Sequence, residues 1–220
     1  MSTGTDIIVA ALARSAKNQS DDLATRGTEL LALLNRSLRG CYSVAARVNP
    51  EYIGAIVPVT GVAGVYARPP RCEMVWWIET AARVAVNVVP PAERDAGAGR
   101  PSVYRIGQSY ISVGGTGDPG PTDTLSFYIA QRPLPLAALS DPLPTSWDTS
   151  YDDLLICDLA LYLAVKDSRM DEMAPLRAER TSWLQLFVNF LVHETSNVTR
   201  RFLLPAAPTI NELNDLLLTP

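Results

Sequence analysis

The chain has 220 residues, 47% of them apolar, and 19 Lys and Arg set against 23 Asp and Glu give a net charge of -4. That size and composition support a buried core in one domain, or one domain with an insertion, and exclude collagenous, coiled-coil and broadly disordered chains. The acidic balance excludes a broad basic surface that grips nucleic acid, but not a surface past which DNA slides.

Three cysteines, Cys41, Cys72 and Cys157, form no CxxC pair. They read as free, small hydrophobes in a protein assembled in a reducing cytoplasm. No window approaches the ~20 apolar residues of a membrane span, and residues 1–6 lack the features of a signal peptide. No membrane partner is expected.

In chain order, residues 6–19 place Ile7, Ile8, Ala11 and Leu12 at helical spacing. Ser20, Asp21 and Asp22 then give a helix start signal. Residues 23–49 predict a long helix with Leu30, Leu31, Leu34, Leu38, Tyr42 and Ala45 on one stripe, ending near Pro50. From Glu51 the period drops toward two. Met74, Trp76 and Ile78 alternate with Val75, Trp77 and Glu79; Val84, Val86 and Val88 with Ala85, Asn87 and Val89; Leu125, Phe127 and Ile129 with Ser126, Tyr128 and Ala130. These predict strands. Residues 103–113 predict a hairpin turning near Gly107 and Gln108. Residues 90–101 and 114–121 read as loops, and 133–144 as an extended Pro-rich connection.

Helical spacing returns at Tyr151. Leu155, Leu159, Tyr162 and Leu163 form one face while Leu154, Leu161 and Val165 fill another, which predicts a helix with neighbours on several sides. Ser150 is its expected N-cap, with Asp152 and Asp153 in the first turn. A turn at residues 168–171 leads to a last helix over 172–194, with Pro175 expected in its first turn. Leu176, Trp183, Leu184, Phe187, Val188 and Leu191 form its apolar face. The expected fold is therefore α+β: a helical bundle built by N- and C-terminal helices (1–54 and 136–195), an inserted antiparallel β module (55–135) and an extended C-terminal arm (196–220).

Catalytic signatures are sparse. His193 is the single histidine and no GxSxG accompanies it, which removes the usual triads. Metal sites with several His or Cys ligands are removed by count. Gly114, Gly115, Gly117 and Gly120 resemble a phosphate loop superficially, but no GK[ST] follows and the sequence turns Pro-rich. Asp152, Asp153, Asp158, Asp167, Asp171 and Glu172 read as helix-start acids and solvated faces before they read as a catalytic pair. Trp76 and Trp77, adjacent in a strand, are expected on opposite sheet faces, one in the core and one on a second surface.

The run YDDLLICDLALYLAVKDSRMDEMAPLRAERTSWLQLF at 151–187 resembles the paired C-terminal helices of tailed-bacteriophage head-to-tail connector (adaptor) proteins. YRIGQSY at 104–110 and LSFYIAQRP at 125–133 resemble their β insertion, and the order of helices, insertion and returning helices covers nearly the whole chain. The resemblance implies a structural virion protein at the neck, assembled in the bacterial host cytoplasm. It implies a ring of about twelve copies under the portal protein. That ring would seal packaged DNA, which passes without specific binding, and seat tail or tail-completion proteins. No cofactor, metal or catalytic residue is implied. The arm matches the position from which adaptors reach a portal or a neighbour. Expected interface residues are Trp77, Arg200, Arg201, Phe202, Leu203, Leu204, Ile210 and Leu213. Two competing readings are a carbohydrate- or peptide-binding module that presents Trp76 or Trp77, and an enzyme that uses carboxylates such as Asp158.

Overall fold

A computed structural model of the chain describes residues 2–15, 19–92, 101–114 and 117–194. Its fold is α+β, with four helices and two sheets among the described residues. The chain divides into two compact units, Met1–Tyr52 with Pro133–Pro220, and Ile53–Arg132.

In the first unit, α1 (Gly4–Arg14) opens on a reciprocal capping box. The Thr3 hydroxyl accepts from the Asp6 backbone N–H, and the Asp6 carboxylate accepts from the Thr3 N–H. α1 is shorter than the periodicity predicts and ends at Ser15, whose carbonyl accepts a bond from the Arg169 guanidinium. A cation at the helix C-terminus complements the dipole there. α2 (Gln19–Val48) buries Leu30, Leu34, Leu38, Tyr42 and Ala45 of the expected stripe, leaves Leu31 partly exposed, and stops just ahead of Pro50.

The connection over 133–144 is not extended throughout: residues 137–141 bend into a turn, in which the Asp141 carboxylate accepts from the Ala137 and Ala138 N–H groups. Residues 139–143 pair with the chain start through Gly4 N–H to Asp141 O, Thr5 N–H to Leu139 O and Leu143 N–H to Ser2 O. Gly4 is buried here, and a Cβ on it would sit 3.0 Å from the Leu139 carbonyl. α3 (Asp152–Lys166) buries residues around most of its circumference and lies against α1, α2 and α4 (Met170–Glu194).

Two expectations are corrected here. Ser150 does not cap α3: a 3-10 turn over Thr149–Tyr151 precedes the helix, and the Asp148 carboxylate caps that turn by accepting from the Ser150 N–H at 2.9 Å. Pro175 is not in the first turn of α4, because the helix starts at Met170 and places the proline in the second turn. The missing donor leaves the Asp171 carbonyl without its helical partner at a position where both residues are exposed to solvent.

In the second unit, β1 (Gly54–Thr60), β7 (Thr124–Gln131) and β3 (Cys72–Thr80) form an antiparallel sheet in the order β1-β7-β3. A second sheet runs β2 (Val65–Ala67), β6 (Ser109–Ser112), β5 (Ser102–Ile106) and β4 (Asn87–Val89). The hairpin β5–β6 turns at Gly107, whose φ of 57° suits glycine. Tyr66, Ile78, Val103, Tyr110, Leu125, Phe127 and Ile129 form the core between the sheets.

The expectation of a wholly antiparallel module is corrected, because β4 pairs with β5 in parallel. The predicted strand over 84–89 is also shorter. A tight turn, with Arg83 at φ 58°, folds Val84 back onto Thr80. Val86 is consequently buried while Val84 and Val88 are exposed, so the three valines do not share one face.

Candidate functional site

Of the carboxylates singled out in the sequence, Asp158, Asp152 and Asp153 fasten α3 to other segments. Asp158 on α3 accepts from the Arg180 guanidinium on α4 and from the Ser37 hydroxyl on α2. Arg180 is only 3% exposed, so this pair is a buried cross-link. Asp152 accepts from Ser2 and from the Trp147 indole N–H. Asp153 pairs with Arg14, and Glu172 with Arg169. His193 lies exposed in the last turn of α4. Among the described residues no three His, Cys, Asp or Glu side chains gather as a metal ligand set. The glycine-rich segment leads into strand β7, and Asp118 in it accepts from the Ser102 N–H at 2.8 Å. Burial pushes the Cys157 thiol up to about 12 and Cys41 higher still, so both stay protonated.

The tryptophans are not arranged as alternation predicts. β3 carries two irregularities against β7, and Trp76 is the extra residue between Val75, opposite Ile129, and Trp77, opposite Tyr128. Val75 and Ile78 face the core with Ile129 and Phe127. Trp77 and Tyr128 therefore face the other way. The Trp76 ring lies against Tyr128 at 5.6 Å, edge to face, so the bulge turns both indoles to the outer side. Neither tryptophan joins the core.

Glu79 ties this outer face together. It accepts from the Trp77 indole N–H and the Tyr128 hydroxyl, each at 2.9 Å. That bond pushes the Tyr128 phenol up, because its ionisation would set two negative charges side by side. Beside them β1 presents Ile56, 61% exposed, with Pro58 and Thr60. The face is a rigid aromatic platform edged by an exposed aliphatic. Its strand edges are protected: β1 carries Pro58, which has no N–H to offer, and bulges distort β3; in the second sheet the edge strands β2 and β4 have three residues each.

A second candidate surface lies on the helical unit. A groove of about 280 Å³ runs between α2, α3 and α4, with Leu33, Leu161, Tyr162 and Val165 among its walls and Arg36 and Arg177 at its rim. Val165 is about half exposed, and both arginines are exposed. Sequence reading missed these residues because three separate helices contribute them with no shared motif. Of the eight expected interface residues, Trp77 is on the outer sheet face, half-buried. Arg200, Arg201, Phe202, Leu203, Leu204, Ile210 and Leu213 lie outside the described residues.

What the described residues offer is contact surface, rigid and partly apolar, on each of two compact units, as expected of a structural protein that joins others. The family model of the SU10 adaptor protein matches residues 2–208, and the chain belongs to that family of phage head-to-tail adaptors. It is thus a structural phage protein of the virion neck that interacts with other head and tail proteins. No curated protein matches the chain. No helix among the described residues is long and apolar enough to cross a membrane.

Proposed function

We propose that this chain is the ring-forming adaptor that joins the portal protein to the tail and completes the DNA exit channel. The observation that carries the reading is the match to an adaptor family across both compact units, not across one module alone. In this reading residues 1–54 and 136–195 make a composite helical bundle, residues 55–135 are its β insertion, and 196–220 is an arm. About twelve copies close by head-to-tail contacts, in which one surface meets a different surface on the next copy. Exposed apolar residues on each unit, such as Ile56 and Ile106 on one and Val165 and Leu186 on the other, suit such contacts. Acidic copies ringing a passage would let DNA slide without sticking.

Electron microscopy of the full chain mixed with its portal tests this. A closed ring under the portal is the expected result, and particles whose necks lack the chain would overturn it.

A second reading is favoured by one observation, the co-facial Trp76, Trp77 and Tyr128. These rings would stack a sugar or a peptide. Saturable tryptophan quenching by an oligosaccharide, with the protein monomeric in solution, would support that reading over the ring.

A further inference from the structure

Charge is divided unevenly between the two units. Residues 53–132 carry seven arginines against six Asp and Glu, while the rest of the chain carries twelve Lys and Arg against seventeen Asp and Glu. The acidic excess therefore belongs to the helical unit and its arm. Four of the seven arginines gather at one end of the β unit. Arg68, just past β2, donates to the Gln108 side chain and to the Glu73 carbonyl. Gln108 lies in the β5–β6 turn, where Arg105 donates to the Gly107 carbonyl. Arg71, ahead of β3, meets Arg132, just past β7, through the Arg132 N–H to Arg71 O bond at 2.8 Å. Arg132 pairs with the Glu73 carboxylate. Burial pushes the Tyr110 phenol up, and Arg105 and Arg68 both draw it back, so the two cations flank one side chain.

Arg68, Arg71 and Arg105 form no ion pair among the described residues; their guanidiniums rest on carbonyl and amide oxygens. Neutral acceptors orient a guanidinium without cancelling its charge, which stays available to an outside anion. Arg71 and Arg105 are exposed, as is Ile106 at the hairpin tip. Guanidiniums rather than apolar side chains dominate this end, the composition of a surface that meets phosphate rather than protein.

We propose that Arg68, Arg71 and Arg105 contact the phosphate backbone of double-stranded DNA. This deepens the ring reading and rests on it: the acidic surfaces let DNA slide, and this end of each β unit holds it. A duplex offers phosphates all round its axis, so the same three arginines on every copy find partners at any rotation of the DNA, and no base is read. Each contact is weak and salt-sensitive alone, and the ring multiplies it.

The test uses the full chain assembled with its portal and a random-sequence duplex, with native mass reporting the ring. One arm places the photoreactive residue p-benzoylphenylalanine at Ile106 and maps its cross-links; the DNA is the expected target. The other arm compares duplex affinity by fluorescence anisotropy. Arg71→Gln with Arg105→Gln should weaken binding at least about tenfold at low salt and flatten its salt dependence, while Arg71→Lys with Arg105→Lys should keep both. Should the Gln variant fail to assemble, the Ile106 cross-link decides alone. Rings in which the Gln variant binds DNA like the native chain, or in which Ile106 cross-links to protein or to nothing, would overturn the inference and leave the ring reading intact. A chain that forms no ring sinks both.

Discussion

The helical and β units solve the same problem, holding distant parts of the sequence together, by different chemistry. A helix satisfies its own backbone, so the relation between helices must come from side chains. Here polar side chains bridge far-separated positions: Asn35 to Leu136, Ser37 to Asp158, Tyr42 to Ser146, Asn49 to Leu191, and Glu29 to Tyr162 and Lys166. A run of rings, Tyr42–Trp147–Phe187–Tyr151–Phe190–Tyr52, stitches the end of α2 to α4. Strands do this work with the ladder, and the β unit adds a single apolar core between its sheets. Its side-chain hydrogen bonds mostly fasten loops, such as the Tyr66 hydroxyl to the Gly120 carbonyl. The lesson is that the helical unit is vulnerable at its polar cross-links and the β unit at points of close steric approach.

The largest expected effect tests the first half of that contrast. Arg180→Ala strands Asp158 with its charge uncompensated between helices, a loss of about 3 kcal/mol or more. Replacing both, Arg180→Met with Asp158→Leu, should recover most of the stability, because a well-packed apolar pair removes the desolvation cost. Urea midpoints of the two variants decide it; a loss under ~1 kcal/mol for Arg180→Ala would break the claim that buried polar links set the helical unit. The second half is tested at Gly61. A Cβ there would meet the Tyr66 ring at 2.9 Å and the Pro121 carbonyl at 3.0 Å, and Tyr66 is fully buried and cannot swing away. Gly61→Ala should cost about 1–3 kcal/mol through overpacking. Gly107→Ala, with φ 57° but open space around it, should cost about 1 kcal/mol from backbone strain alone. Equal losses at the two glycines in thermal melts would mean that conformation, not crowding, matters in this unit.

The contrast also explains what was readable in the sequence. Leu30, Leu34 and Leu38 were legible because burial on one helix face is written locally, and the β5–β6 hairpin because its turn residue lies between its strands. The outward turn of Trp76 was not, since a bulge exists only relative to the partner strand, and β7 is some fifty positions away in sequence. The parallel pairing of β4 was hidden for the same reason. Ser150 was misread because a 3-10 turn moved the capping role to Asp148, and that turn leaves no periodic trace. Of the site, the groove was illegible: Arg36 and Arg177 come close to the same cleft only once α2 and α4 have packed on α3. The sequence did announce that the arm was unusual, through Phe202, Leu203, Leu204, Ile210 and Leu213, but not where it goes.

The smallest effect sharpens the comparison at the surface. Glu29 on α2 accepts from Lys166 and from the Tyr162 hydroxyl on α3. The Lys166 hydrogen bond, then that of Tyr162, holds the Glu29 carboxyl down at about 2, against an ordinary value of 4.5. A carboxyl depressed in the folded state contributes stability that is complete above its unfolded value and fades as pH falls toward the folded one. The link between α2 and α3 should therefore weaken from about pH 4.5 down to about pH 2. Glu29→Gln removes this contribution, so the gap in urea midpoint between native chain and variant should be widest near neutral pH and close across that window. The groups are partly exposed, so salt at ~1 M should narrow the gap at neutral pH as well. A gap that stays constant from neutral pH to the acid end would show that Glu29 acts through packing of its stem, and would move this cross-link to the steric side of the comparison.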